Sequence, residues 1–116
     1  MDISEDYFKR NDVEGYRVLH DEADGVTEES LAFFEKHKGD VGEVLDIFIN
    51  QDRTFAMEIN APHTTMLLSG VNCGYGGTGP RGTLKLLEML GLKVAEDYIT
   101  GNDRCHIDCR GKGIFW

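Results

Sequence analysis

The pattern of apolar and polar positions predicts two amphipathic helices. The first covers 27–39, where acidic residues follow Thr27 and a basic Lys-His-Lys-Gly run ends the segment at Gly39. The second covers 80–91, because Pro80 opens and Gly91 closes a segment rich in leucine.

Alternating or continuous apolar runs outside these helices predict strands. They lie at 15–20, 53–59, 64–68, 92–99 and 104–110.

Segment 40–50 has two interpretations. It fits a helix capped by Asp40, and it fits a strand through Ile47 and Ile49 that forms a hairpin with 53–59. We favour the hairpin, because this part of the segment is rich in strand-forming residues. The order of elements predicts a single α+β domain over 1–116, a mostly antiparallel sheet of about five strands with two helices.

A glycine-rich loop joins the strand at 64–68 to the second helix. Five of the 14 glycines of the chain lie within 72–83. Backbone N–H groups at a helix N-terminus favour an anion such as phosphate, Arg81 would add a charged donor, and Tyr75 would stack on a base or ribose. In the alternative interpretation, the glycines allow a tight turn that places Tyr75 in the core.

The ligand-binding hypothesis names the loop and two arginines at predicted strand ends. These candidate residues are Asn72, Gly74, Tyr75, Gly76, Gly77, Thr78, Gly79, Arg81, Gly82, Thr83, Arg53 and Arg104. The spacing of Gly74, Gly76 and Gly79 matches G-x-G-x-x-G, but the dinucleotide-binding fingerprint should open a long βαβ series, and only 37 residues follow Gly79.

The run Gly-Tyr-Gly-Gly-Thr-Gly-Pro at 74–80, followed by a leucine-rich helix, resembles a loop of small uncharacterised bacterial and phage proteins. The resemblance covers about residues 72–91, and Cys73 stands where those proteins usually carry Trp. It implies a small cytoplasmic α+β protein, in the host cytoplasm if phage-encoded. A looser analogy, with small phage proteins that sequester nucleotide immune signals, suggests a nucleotide-like ligand.

Charge and composition exclude several classes of partner. The net charge is −9, from 21 acidic and 12 basic residues, so we expect no nucleic-acid partner and no anionic membrane surface. The sequence contains no run of 18 apolar residues, so it predicts no membrane span. The acidic start of the chain is unlike a secretory signal, which favours a cytoplasmic location.

The cysteines and histidines are candidates for metal binding or catalysis. If 105–109 is a strand, Cys105 and Cys109 lie roughly 13 Å apart, too far to share a tetrahedral metal. A C-x3-C turn with His63 and Cys73 is the alternative metal site, but we favour small apolar cysteines that pack inward, and we expect neither a metal nor a cofactor. A catalytic set would need Cys73 to meet His63, His106 and Asp108, and no motif brings these residues together.

The sequence therefore favours non-enzymatic binding of a small phosphorylated or nucleotide-like ligand at the glycine-rich loop. The alternative is a protein-binding inhibitor or assembly subunit with an acidic surface. The apolar residues Ile114, Phe115 and Trp116 suggest self-association as a homo-oligomer.

Overall fold

A computed structural model describes residues 17–109 and 113–114. Its elements in chain order are β1 Arg17–His20, α1 Thr27–Val41, β2 Asp46–Asn50, β3 Met57–Asn60, β4 Thr64–Leu68, α2 Thr78–Met89, α3 Glu96–Thr100, β5 Arg104–Asp108 and the two-residue β6 Gly113–Ile114.

The strands form one mixed sheet in the order β1-β4-β3-β2-β5-β6. β1 pairs with β4 in parallel, and all other neighbours are antiparallel. The predicted α+β class and the mostly antiparallel sheet are confirmed. The described residues contain three helices where two were predicted, and the third, α3, is one short turn.

One face of the sheet carries the hydrophobic core. Apolar side chains alternate along β2 and β5, so that Ile47 lies between Ile59 and Ile107 in the paired register. These side chains are fully buried together with Phe34 of α1 and Leu86 of α2. Both long helices therefore pack on this face.

The ambiguous segment 40–50 is divided between two elements. Its second half is β2, which forms the predicted hairpin with β3. Its first residues extend α1 through Gly39 to Val41, so the predicted helix end at Gly39 is wrong. The helix is followed instead by Gly42 at φ 83°, a conformation that glycine adopts at little cost.

The second predicted helix begins two residues earlier than its proline. α2 starts at Thr78, so Pro80 is the third helical residue, where a missing N–H still costs no helical hydrogen bond. Gly91 follows the helix at φ 75°, as the predicted left-handed cap requires.

The strand predicted at 92–99 is wrong. The N–H of Leu92 donates to the carbonyl of Leu87 at the end of α2, and the chain then forms α3 with Ile99 buried. β5 consequently forms strand pairs with β2 and β6 and none with 92–99. Gly15, Tyr16, Arg110, Phe115 and Trp116 lie outside the described residues.

Candidate functional site

The parallel pairing of β1 and β4 brings the starts of both long helices to one edge of the sheet. Each strand ends at this edge, and each is followed by a loop and then a helix, α1 or α2. Clefts beyond the carboxyl ends of parallel strands are common ligand sites. A cavity of about 300 Å³ lies here, the inter-helix pocket, lined by Gly25, Thr27, Ser69, Gly70, Asn72, Tyr75, Thr78 and Gly79.

A buried carboxylate holds the loops behind this pocket. Asp21, which directly follows β1, is 2% exposed. It accepts hydrogen bonds from the hydroxyl of Ser30 in α1 and from the backbone N–H and hydroxyl of Ser69, both at 2.9 Å. The Ser69 oxygen in turn accepts the N–H of Gly25 at 3.0 Å. The ends of both strands and the first turns of α1 are thereby fixed relative to each other.

Close packing brings the two helices together at the pocket. The Thr27 hydroxyl donates to the carbonyl of Gly70 at 2.7 Å, and the N–H of Gly70 donates to the Ser30 hydroxyl at 2.8 Å. A Cβ on Gly70 would lie 2.5 Å from the carbonyl oxygen of Val26, and a Cβ on Gly82 would overlap the methyl group of Thr27. These two glycines therefore serve helix packing.

The first half of the glycine-rich loop is tied to its surroundings. The N–H of Asn72 donates to the carbonyl of Gly79 at 3.2 Å, and the Thr83 hydroxyl donates to the carbonyl of Asn72 at 2.6 Å. Gly74 has φ 89°, and its N–H donates to the carbonyl of Ile99 at 2.8 Å. This half of the loop is consequently a fixed frame for the residues that follow it.

Tyr75 lies on the surface over the start of α2. Its side chain is 43% exposed, so it is not wedged into the core. A Cβ on Gly77 would lie 2.8 Å from the Tyr75 ring, and a Cβ on Gly79 would lie 2.7 Å from its hydroxyl, whereas a Cβ on Gly76 would meet nothing within 4 Å. Gly77 and Gly79 therefore make room for the ring, while Gly76 has no steric requirement.

The helix starts at the pocket lack the acceptors that usually cap them. Neither preceding residue, Val26 for α1 or Gly77 for α2, makes a side-chain cap hydrogen bond. α1 carries two acidic residues in its first turn, but α2 carries none. Among the described residues, no acceptor bonds the backbone N–H of Thr78 or Gly79. The α2 start thus presents free donors and about half a unit of positive charge to the pocket.

Four of the predicted site residues line the inter-helix pocket: Asn72, Tyr75, Thr78 and Gly79. Arg81 does not line it, but its exposed side chain lies three residues after Thr78, which makes the two neighbours on the helix surface.

The remaining predicted site residues lie elsewhere. A Cβ on Gly74 would lie 2.7 Å from the Asp103 carboxyl group, away from the pocket lining. Gly82 and Thr83 are buried in helix packing, and Gly76 and Gly77 lie in the loop outside the lining. Arg53 pairs with Glu58 at 3.3 Å, and Arg104 begins β5 as an exposed residue.

Half of the pocket lining was absent from the sequence prediction. Gly25 lies in the loop before α1, Thr27 is the first residue of α1, and Ser69 and Gly70 lie in the loop after β4. The turn at Gly25 and the helix start at Thr27 are visible in the sequence, but only the parallel pairing of β1 with β4 places them opposite Thr78.

The residues of the alternative catalytic set do not converge. Cys73 lies in the core on the helix side of the sheet, whereas His106 projects from the opposite face, stacks on Phe48 and contacts Asp46 at 3.2 Å. His63 precedes β4, at the end of that strand remote from Cys73. Within the described ranges, no group of three or more His, Cys, Asp or Glu side chains is placed to hold a metal ion.

Comparison of this chain with protein families, curated proteins and solved structures finds no match. In the part of the chain that the structure describes, every helix is too short or too polar to cross a lipid bilayer.

Proposed function

We propose that the protein binds a small phosphorylated or nucleotide-like ligand in the inter-helix pocket and does not convert it chemically. The observation that carries this proposal is the start of α2, where Thr78 and Gly79 line the pocket and their N–H groups have no acceptor among the described residues. The helix start also has no side-chain cap and no first-turn acid. A phosphate group supplies the missing acceptors and opposes the helix dipole.

The apolar surface around the pocket fits the rest of such a ligand. Large hydrophobic side chains are exposed at three described positions. Of these, Tyr75 at 43% lines the pocket, and Val26 at 48% lies between the lining residues Gly25 and Thr27. An exposed tyrosine ring beside a phosphate site supports stacking on a base or ribose. The ligand class we propose therefore combines an anionic group with a flat or apolar part.

Arg81 supplies a further contact in this proposal. Its side chain is exposed on the same helix surface as Thr78, and the described residues offer it no ion-pair partner. A positive charge in the first turn of a helix is unfavourable until an anion binds there. Arg53 and Arg104 have no part in this proposal, since neither lines the pocket.

The test is a thermal-shift screen with inorganic phosphate, nucleotides, cyclic nucleotides and ADP-ribose compounds. A ligand at 100 times its dissociation constant stabilises the fold by about 2.7 kcal/mol, which raises the melting temperature on the order of 10 °C at this size. A shift with a phosphorylated compound supports the proposal. If no compound shifts the melting temperature, the pocket is not an anion site and a protein partner becomes the better hypothesis.

Two matched pairs of variants locate the binding site. Gly79→Ala adds a methyl group at the pocket, against Tyr75, whereas Gly76→Ala adds one in open space. Arg81→Ala removes a charge beside Thr78, whereas Lys85→Ala removes one a turn farther along the exposed side of α2. The ligand-induced shift should be lost in Gly79→Ala and reduced in Arg81→Ala only. If both variants of a pair lose the ligand-induced shift equally, the ligand binds elsewhere.

A further inference from the structure

Two buried thiols lie together under the glycine-rich loop. Cys73 precedes Gly74, Cys105 is the second residue of β5, and both are 0% exposed. The Cys73 sulfur lies 3.9 Å from the carbonyl oxygen of Ile49, and Ile49 is the direct partner of Cys105 in the ladder between β2 and β5. Both side chains therefore reach the same place in the core, from different segments of the chain.

The two thiols also differ in how readily they ionise. The hydrogen bond with Cys105, together with burial, raises the pKa of the Cys73 thiol. The same hydrogen bond lowers the pKa of the Cys105 thiol, although burial opposes this change. A lowered pKa favours the thiolate, which makes Cys105 the candidate for the attacking sulfur of the pair.

Cys105 lies against α3 and the turn that precedes β5. Its sulfur lies 3.5 Å from the carbonyl oxygen of Tyr98 in α3 and 3.8 Å from that of Asn102. The turn around Asn102 is flanked by the exposed residues Gly101 and Asp103. Local opening of an exposed turn is much less costly than global unfolding, so a small oxidant can reach this sulfur from the folded protein.

We propose that Cys73 and Cys105 are a redox site, in which a peroxide converts the two thiols into an intramolecular disulfide. The Cys105 thiolate attacks a peroxide oxygen, the O–O bond breaks, and the departing hydroxide takes up a proton to become water. The Cys73 sulfur then attacks the Cys105 sulfenic acid, the S–O bond breaks, and the oxygen leaves as a second water with the Cys73 proton. Two electrons pass from the thiols to hydrogen peroxide.

The disulfide would bind the glycine-rich loop covalently to β5. The bond would hold the two sulfur atoms about 2.05 Å apart. A link between segments this distant in sequence also restricts the unfolded chain, so the oxidised protein should melt at a higher temperature than the reduced protein. This inference does not depend on the proposed ligand.

The test uses Cys109→Ser, which removes the exposed third thiol and keeps the buried pair intact. The folded variant is treated with hydrogen peroxide, unfolded, alkylated and analysed by mass spectrometry without reductant. We expect an intact mass lower by two hydrogens, one peptide joining Cys73 to Cys105, and return of both thiols with dithiothreitol. Alkylation of both cysteines after this treatment, or a sulfinic acid on either, would overturn the proposal.

A denatured control separates the effect of the fold from random pairing. The same treatment in denaturant should yield several-fold less of the cross-linked peptide, and an equal yield would show that the fold does not organise the pair.

Single replacements test the order of the two steps. With Cys109→Ser, Cys73→Ser should leave Cys105 to accumulate higher oxides, while Cys105→Ser should leave Cys73 as a thiol. The reverse result would contradict Cys105 as the attacking residue. Because the main experiment keeps both core cysteines, it is readable even if these replacements destabilise the fold.

Discussion

Glu58 is a carboxyl group that the fold buries on the helix-free face of the sheet. It is 7% exposed and accepts hydrogen bonds from the amide of Asn60 at 2.8 Å and from Arg53 at 3.3 Å. Burial raises the pKa of Glu58 above its usual value, while the Asn60 hydrogen bond and the charge of His106 oppose this rise. The net direction shows that desolvation outweighs these polar partners.

Glu58→Gln should change how stability depends on pH. Since the pKa is raised in the folded state, the folded protein holds this proton more tightly than the unfolded chain. The stability that this more tightly held proton provides is fully present below pH 4.5, the ordinary pKa of a glutamate side chain. It is lost as the pH rises through the pKa that Glu58 has in the folded state. Glutamine cannot ionise, so the variant should gain stability relative to wild type as the pH rises through that window. Urea unfolding at a series of pH values measures this difference.

Glu88→Gln, at an exposed site on α2, is the matched control for this prediction. If Glu58→Gln changes the pH dependence of stability no more than the control does, the carboxyl group of Glu58 is not desolvated.

At the scale of the elements, the approach of α1 to α2 depends on one glycine. A Cβ on Gly82 would overlap the methyl group of Thr27, a short side chain with no room to retreat. Gly39, in contrast, lies in α1, is exposed, and would present its Cβ to open space.

Alanine at these two helical glycines should have opposite effects. Gly82→Ala forces the helices apart and should destabilise the protein by about 1–3 kcal/mol. Gly39→Ala restricts the unfolded chain without a clash and should stabilise it by roughly 0.5–1 kcal/mol. Chemical denaturation of both variants measures the difference. Stabilisation by Gly82→Ala would show that the helices are not packed as closely as the structure indicates.

The elements that the sequence predicts correctly are those with long, regular patterns. The leucine-rich face of α2 and the alternation that ends in β3 each extend over enough residues to define a period. The error at 92–99 has a local cause, because α3 is a single turn too short to show helical periodicity. Contacts with other segments support it, since the carbonyl of Ile99 accepts the N–H of Gly74 at 2.8 Å and the Tyr98 hydroxyl accepts the backbone N–H of His106 at 3.0 Å.

At the scale of the whole molecule, the pocket depends on which strands pair, and the sequence does not predict that pairing. The glycine-rich loop is visible as a cluster, and four of its predicted site residues do line the cavity. The other wall comes from the loop after β1, which lies more than 40 residues earlier in the chain. Nothing in the residue pattern of β1 specifies parallel pairing with β4, so a sequence of local elements cannot place Gly25 opposite Gly79.

Among the described strands, the parallel strand β1 lies at the edge of the sheet and pairs only with β4. Asp21 extends this connection beyond the strand end, since it accepts hydrogen bonds from Ser30 of α1 and Ser69 after β4. Removal of its charge therefore weakens the link between the first β-α unit and the antiparallel remainder of the sheet.

Asp21→Asn tests this link. The amide has one acceptor oxygen, so part of the donor set around Asp21 loses its partner, and we expect a loss of roughly 1.5–3 kcal/mol in the free energy of unfolding. The loss should be uneven: hydrogen exchange should accelerate more in β1 and the first turns of α1 than in β2, β3 and β5. Asp24→Asn is the matched control, because Asp24 is exposed and its φ of 50° suits asparagine. Uniform acceleration across the sheet would mean that β1 and α1 unfold only with the whole protein. If Asp21→Asn has no larger effect than the control, the hydrogen bonds of Asp21 do not stabilise the pocket.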